Sequence, residues 1–155
     1  MNDMDGSFSV WYRGTGSLIC PECMSIKVRE WTAKERMDSM DDLRKAAKQE
    51  IEQLWSSVAE GKHIKTGDIR KLSAKLFRKI PTKDINSVFA LCEQLLEEHN
   101  WELGVIAFDW AFRMKKQYNK DTYVIFYGWL KKYVRGWGDC DDFCTHAFGE
   151  LLRQD

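Results

Sequence analysis

Proline limits helices more severely than any other residue, because it lacks a backbone N–H and its ring clashes with the preceding turn. This chain of 155 residues has only two, Pro21 and Pro81. Through the long stretches they leave open, apolar residues return every three or four positions. That spacing gathers them on one face of an α-helix. Seven tryptophans and eight phenylalanines supply bulk for a core. A chain of this length makes about one domain and buries roughly 68–70% of its unfolded surface.

Six helices are expected between residues 41 and 153. Leu43, Ala47, Ile51, Leu54, Trp55 and Val58 form the stripe of the first, closed by Gly61. Thr66 is placed to cap the second, with Ile69, Leu72, Leu76 and Ile80 inward. Pro81-Thr82 opens the third, carrying Ile85, Val88, Phe89, Cys92, Leu95 and Leu96. The fourth, Trp101 to Lys116, is apolar on nearly every side. Asn119-Lys120-Asp121 starts a fifth with Tyr123, Val124, Phe126, Tyr127, Leu130 and Val134, and the last runs from about Cys140.

Short connections make consecutive helices antiparallel neighbours. Helices three and four, and five and six, then form two hairpins of about forty residues each, the period of HEAT-type repeats. The expected fold is all-α, with HEAT-like antiparallel helical hairpins stacked as a short α-solenoid; a compact helical bundle is the alternative. The apolar character of helices four and five favours the stack, whose middle layer must be buried on both sides. Residues 1–39 fall outside the pattern and are expected to be a flexible N-terminal extension, poor in aliphatic residues at first and carrying Gly6, Gly14 and Gly16. Cys20 and Cys23 have the gap of a zinc knuckle, but a complete site needs a second pair with matching spacing. None of Cys92, Cys140, Cys144, His63, His99 or His146 supplies it, so neither a metal nor another cofactor is expected.

Five cysteines without framework spacing suit reduced thiols, and the chain has neither a signal peptide nor an apolar run long enough for a membrane span. A cytoplasmic protein with no membrane partner is the expectation. The chain has no net charge, yet the charge is unevenly spread. Residues 61–135 carry fifteen basic against eight acidic side chains, +7, whereas residues 1–60 carry −3 and 136–155 carry −4. The basic residues gather at 62–79, including Lys65, Arg70 and Lys71, and at 113–135, including Lys131, Lys132 and Arg135. Such clusters can follow a phosphate backbone. A solvated helical face is the alternative for either run alone; residues 40–155 are expected to form a helical-repeat DNA-binding domain.

Between the last basic cluster and the end of the chain lies Gly136-Trp137-Gly138-Asp139-Cys140-Asp141-Asp142-Phe143-Cys144. The glycines break the preceding helix. Asp139 is a good N-cap, which would put Asp141 and Asp142 in the first turn, where the macrodipole favours negative charge. Trp137 and Asp141, four residues apart, would offer an aromatic surface beside a carboxylate. That pairing suits a transient cation on a sugar or base; the alternative is that the aspartates merely cap the helix and Trp137 belongs to the core.

The run Trp110-Ala111-Phe112, Tyr127-Gly128-Trp129-Leu130-Lys131-Lys132-Tyr133-Val134 and Gly136 to Cys144 resembles the AlkD-type DNA alkylation repair family, DNA glycosylases built from HEAT-like repeats. Residues 64–73 resemble the basic helix start that precedes the repeats in that family. The resemblance covers roughly residues 41–153. It implies that Trp137 and Asp141 are the catalytic pair, set in a positively charged groove that holds duplex DNA containing alkylated bases. It also implies glycosylase-type removal of cationic N3- or N7-alkylated purines, which leave without an acid to protonate them. Asp141 would then stabilise the oxocarbenium-like sugar and orient a water, with Trp137 against that sugar. The family continues for several helices beyond this motif, supplying an arginine and a second tryptophan. On that ground the present chain is expected to hold half the groove and to be slow or inactive. The competing expectation is a non-catalytic helical-repeat module that binds DNA or a protein, for which the Asp141 carboxylate would be dispensable.

Overall fold

In the computed structural model the structure describes residues 32–154. All regular structure among them is helical: α1 Ala33–Ser57, α2 Thr66–Phe77, α3 Ile85–Leu96, α4 Trp101–Arg113, α5 Lys120–Lys132, α6 Trp137–Thr145 and α7 Ala147–Gln154, with a single 3-10 turn at Lys115–Gln117. The all-α expectation holds. Helix α1 starts upstream of the boundary expected at residue 40, and Met40 packs against the core. The proposed extension up to Trp31, with Cys20 and Cys23, lies outside the described residues.

Side-chain caps fix the starts of α3, α4 and α5. Asp84 accepts from the Ser87 backbone N–H at 3.0 Å and begins α3. Asn100 does the same for Leu103 at the start of α4. Asn119 and Thr122 cap each other reciprocally at the start of α5, satisfying two backbone donors that the first turn leaves free. The start of α2 differs from expectation. Lys65 is its N-cap and Thr66 its first helical residue, with no side-chain cap bond.

Helix α4 is the centre. It packs against α2 and α3 and against α6 and α7, with Val105, Ile106, Ala107, Phe108, Trp110 and Ala111 all buried. The Trp110 indole donates to the Ser73 carbonyl at 3.1 Å, locking α4 to α2. Helix α5 was expected to share this middle position, but its Tyr123, Val124 and Tyr127 are 50, 70 and 47% exposed. It meets the core along one stripe, where Phe126 and Trp129 reach Phe89 of α3 and Phe143 of α6, with ring centroids 5.3–6.3 Å apart. Large rings hold the helices apart. The backbone of α5 approaches α7, so helices five and six do not pair as tightly as α3 and α4 do. Trp55, placed in the first buried stripe, is instead 41% exposed and donates to the buried Glu102 at 3.0 Å.

The expected last helix is broken at His146, whose backbone leaves the helical region at φ −112° and ψ −88°. Side chains take over the carbonyls at the break. Thr145 Oγ1 donates to the Asp141 carbonyl at 2.6 Å, and His146 Nδ1 lies 2.9 Å from the Asp142 carbonyl. Gly149 lets α7 fold back closely, because a Cβ there would stand 2.4 Å from the Cys144 carbonyl oxygen.

Candidate functional site

Helix α6 carries the two residues that the sequence singles out. Gly136, extended at φ −147° and ψ 177°, is its N-cap, and Trp137 is its first residue. Asp139 is therefore not the cap. It sits in the first turn and reaches back, its carboxylate accepting from the Arg135 backbone N–H at 3.2 Å. Asp141 and Asp142 fall in the second turn, beyond the strongest part of the dipole. The helix starts earlier than expected because α6 closes directly onto α4. A Cβ on Gly138 would lie 3.1 Å from the Trp101 indole nitrogen, so the glycine permits an approach that a larger side chain would oppose. Packing overrides the low helix propensity of glycine here.

The geometry puts Trp137 and Asp141 on one face, since residues four apart on a helix are neighbours. Trp137 is 92% exposed. That excludes the core role such a residue commonly has. Asp141 is exposed, and its carboxylate has no hydrogen-bond or ion-pair partner among the described residues. A flat aromatic face and an uncommitted carboxylate thus stand side by side.

Asp142 has a different part. It is largely buried and joins Arg70 of α2, with His146 Nδ1 3.9 Å away. Burial raises its carboxyl above the ordinary range, while the Arg70 hydrogen bond and charge pull it back. The pair ties α2 to α6. Arg70, expected to contact phosphate, is committed to this tie, with its side chain 39% exposed. Lys71 is paired with Asp68 at 2.9 Å and remains 82% exposed. Lys65 is exposed at the start of α2.

The second basic cluster leads straight into α6. Lys131 lies over the Tyr127 ring at 4.8 Å, and Lys132 over the Tyr133 ring at 4.8 Å. Lys132 also stands 3.6 Å from Glu97. Arg135, two residues before Trp137, is exposed and lies 3.2 Å from His99 Nε2. Basic side chains therefore reach α6 both before Trp137, through Arg135, and beside Asp142, through Arg70.

Beside Trp137 opens a cleft of about 220 Å³, lined in part by His99, Trp101, Tyr133, Arg135 and Asp139. Trp101 opens a helix whose pattern is apolar on nearly every side, yet it is 38% exposed and forms one wall. Its position directly after the Asn100 cap, at the edge of α4, is the signal that could have marked it. His99 takes a left-handed φ of 53°, which turns the chain sharply from α3 into α4.

Among the described residues no helix is long and apolar enough to cross a membrane. No curated protein and no solved structure matches the chain. A family model described as DNA alkylation repair enzyme matches residues 62–155. That span is more than half of the chain and holds α2 through α7 with the whole of the Trp137–Asp141 face. This chain belongs to the DNA alkylation repair enzyme family.

Proposed function

We propose that the protein acts on duplex DNA as a glycosylase, releasing purines that alkylation at N3 or N7 has made cationic. One observation carries the reading: Trp137 and Asp141 stand one helical turn apart, both exposed, the carboxylate uncommitted, with Arg135 leading into the same helix. A cationic purine is a good leaving group without protonation. Its N-glycosidic bond breaks, the bonding pair goes to the purine and neutralises it, and positive charge develops on the sugar. Asp141 stabilises that charge electrostatically. A water then attacks the sugar carbon, and its proton passes to Asp141 or solvent. Trp137 lies against the sugar, its electron-rich face favouring the cation. Lys65, Lys71, Lys131, Lys132 and Arg135 hold the phosphates, and Arg70 holds α6 in place while offering its exposed edge to the same backbone.

The test is single-turnover release of 7-methylguanine and 3-methyladenine from duplex DNA under excess protein, which reads slow rates. Asp141→Asn should lower release by about 10²–10³-fold, the usual loss for one electrostatic group acting on the transition state. DNA affinity should stay near normal. Trp137→Ala should lower both. Salt-dependent DNA binding with no base release would instead establish a binding module; equal release by a folded Asp141→Asn protein would overturn the catalytic role.

A further inference from the structure

The two cysteines of α6 form a pair that the repair chemistry does not use. Cys140 and Cys144 stand one turn apart, both half-buried, with Sγ atoms 3.8 Å from each other. Three ways of engaging such a pair can be separated by geometry.

A disulfide is disfavoured. Residues four apart on a helix have Cβ atoms about 5–6 Å apart, whereas a disulfide requires roughly 3.5–4.5 Å. Closing the bond would unwind a turn of α6. Zinc is disfavoured for a different reason. It takes four ligands in a structural site, and no cluster of three or more suitable side chains forms among the described residues. A single soft atom inserted between the sulfurs fits. With bonds of about 2.3 Å, the length typical of a soft ion on thiolate, a sulfur separation of 3.8 Å corresponds to an angle of about 111° at the bridging atom. That angle suits a bent or pyramidal centre and excludes a linear one.

We infer that Cys140 and Cys144 are a binding site for trivalent arsenicals, which need only two thiols and keep a third substituent of their own. For an arylarsine oxide the reaction is a condensation. Two S–As bonds form, the As–O bond breaks, and the oxygen leaves as water with both thiol protons. Arsenic stays trivalent and no electrons move, so no co-reactant is needed. Burial and the neighbouring thiol raise Cys144 above the ordinary thiol range, and a condensation that consumes neutral thiols is compatible with that. Cys92 is not a competitor: it is fully buried and its thiol donates to the Ala107 carbonyl at 3.2 Å. The bridge would span the turn that contains Asp141.

The experiment uses the full chain with Cys20→Ser and Cys23→Ser, so that the other closely spaced cysteine pair cannot take the reagent. Phenylarsine oxide is titrated, free thiols are counted, and the adduct is located by mass spectrometry of proteolytic fragments. One phenylarsine per chain is expected, with loss of two thiols, both in the peptide holding 140 and 144, and reversal by a small dithiol. Cys140→Ser or Cys144→Ser should each weaken binding by at least about 100-fold, since the second bond is then no longer intramolecular. Cys92→Ser should bind as its parent does. An adduct elsewhere, binding unchanged in both single variants, or no adduct would overturn the site. Localisation on the parent protein settles the matter even where a variant fails to fold.

Discussion

Two glycine-to-alanine substitutions should move stability in opposite directions. At Gly149 an added Cβ would meet the Cys144 carbonyl oxygen at 2.4 Å. The obstacle is backbone at a helix corner, so no rotamer change relieves it, and either α7 must swing away from α6 or the break at His146 must open. Overpacking typically costs about 1–3 kcal/mol, and a rigid obstacle puts Gly149→Ala at about 2–3 kcal/mol. An unfolding entropy of about 2.1 cal/mol/K per residue, taken over residues 32–154, turns this into a fall in Tm of roughly 8–12 °C. At Gly128, mid-way along α5 and exposed, nothing lies within 4 Å of an added Cβ. There alanine should stabilise by about 0.5–1 kcal/mol, because it restricts the unfolded chain and favours the helix. Thermal and urea unfolding of both variants, followed by far-ultraviolet circular dichroism, reads the difference. A Gly149→Ala protein as stable as its parent would refute the close α6–α7 corner. A large loss at Gly128 would show that this face of α5 is covered and not open to solvent.

Asn119→Ala removes the reciprocal cap of α5 and should cost about 1 kcal/mol, checked by urea midpoint. Glu150 is held down to about 2 by its hydrogen bonds from Arg153 and Gln154. A depressed carboxylate contributes stability above its unfolded value near 4.5 and loses it as pH falls toward 2. The Tm gap between the parent and Glu150→Gln should therefore narrow across that window. Replacing Lys131, Lys132 and Arg135 together by Ala should weaken duplex binding and flatten its dependence on salt, since each phosphate contact releases counterions; an unchanged slope in filter binding would place the interface elsewhere.

The helical stripes were legible because burial in α2, α3 and α4 follows the apolar period closely, and Asn119 at the start of α5 advertises its cap. What the sequence hid were places where packing outweighed local preference. Gly136 and Gly138 read as breakers, yet one caps α6 and the other lies inside it, pressed against Trp101. The break at His146 has no proline or glycine to announce it. Tyr123, Val124 and Tyr127 fit a buried stripe by type and are exposed, because period alone does not say how many faces of a helix find a partner. At the site, the spacing of Trp137 and Asp141 was readable, whereas the Arg70–Asp142 tie joins residues 72 apart in the chain, a contact that only tertiary structure creates.

The central place of α4 has a consequence for how the domain assembles. This helix lies midway between its partners in the chain as well as in space, so no partner must travel far to dock on it: α3 is joined by a four-residue turn, and α2, α6 and α7 follow within a few short helices. Closing loops of that size costs little entropy, and chains dominated by near contacts fold fast. Order should then spread outward from Ile106 and Phe108, with the corner at α7 set last. A conservative change such as Ile106→Val would chiefly slow folding, and Leu151→Val would chiefly speed unfolding. The face that bears Trp137 and Asp141 rides on α6, whose Phe143 stacks on Phe108 at 4.5 Å, so it would take shape with the centre, and the α7 corner would be the first part to loosen.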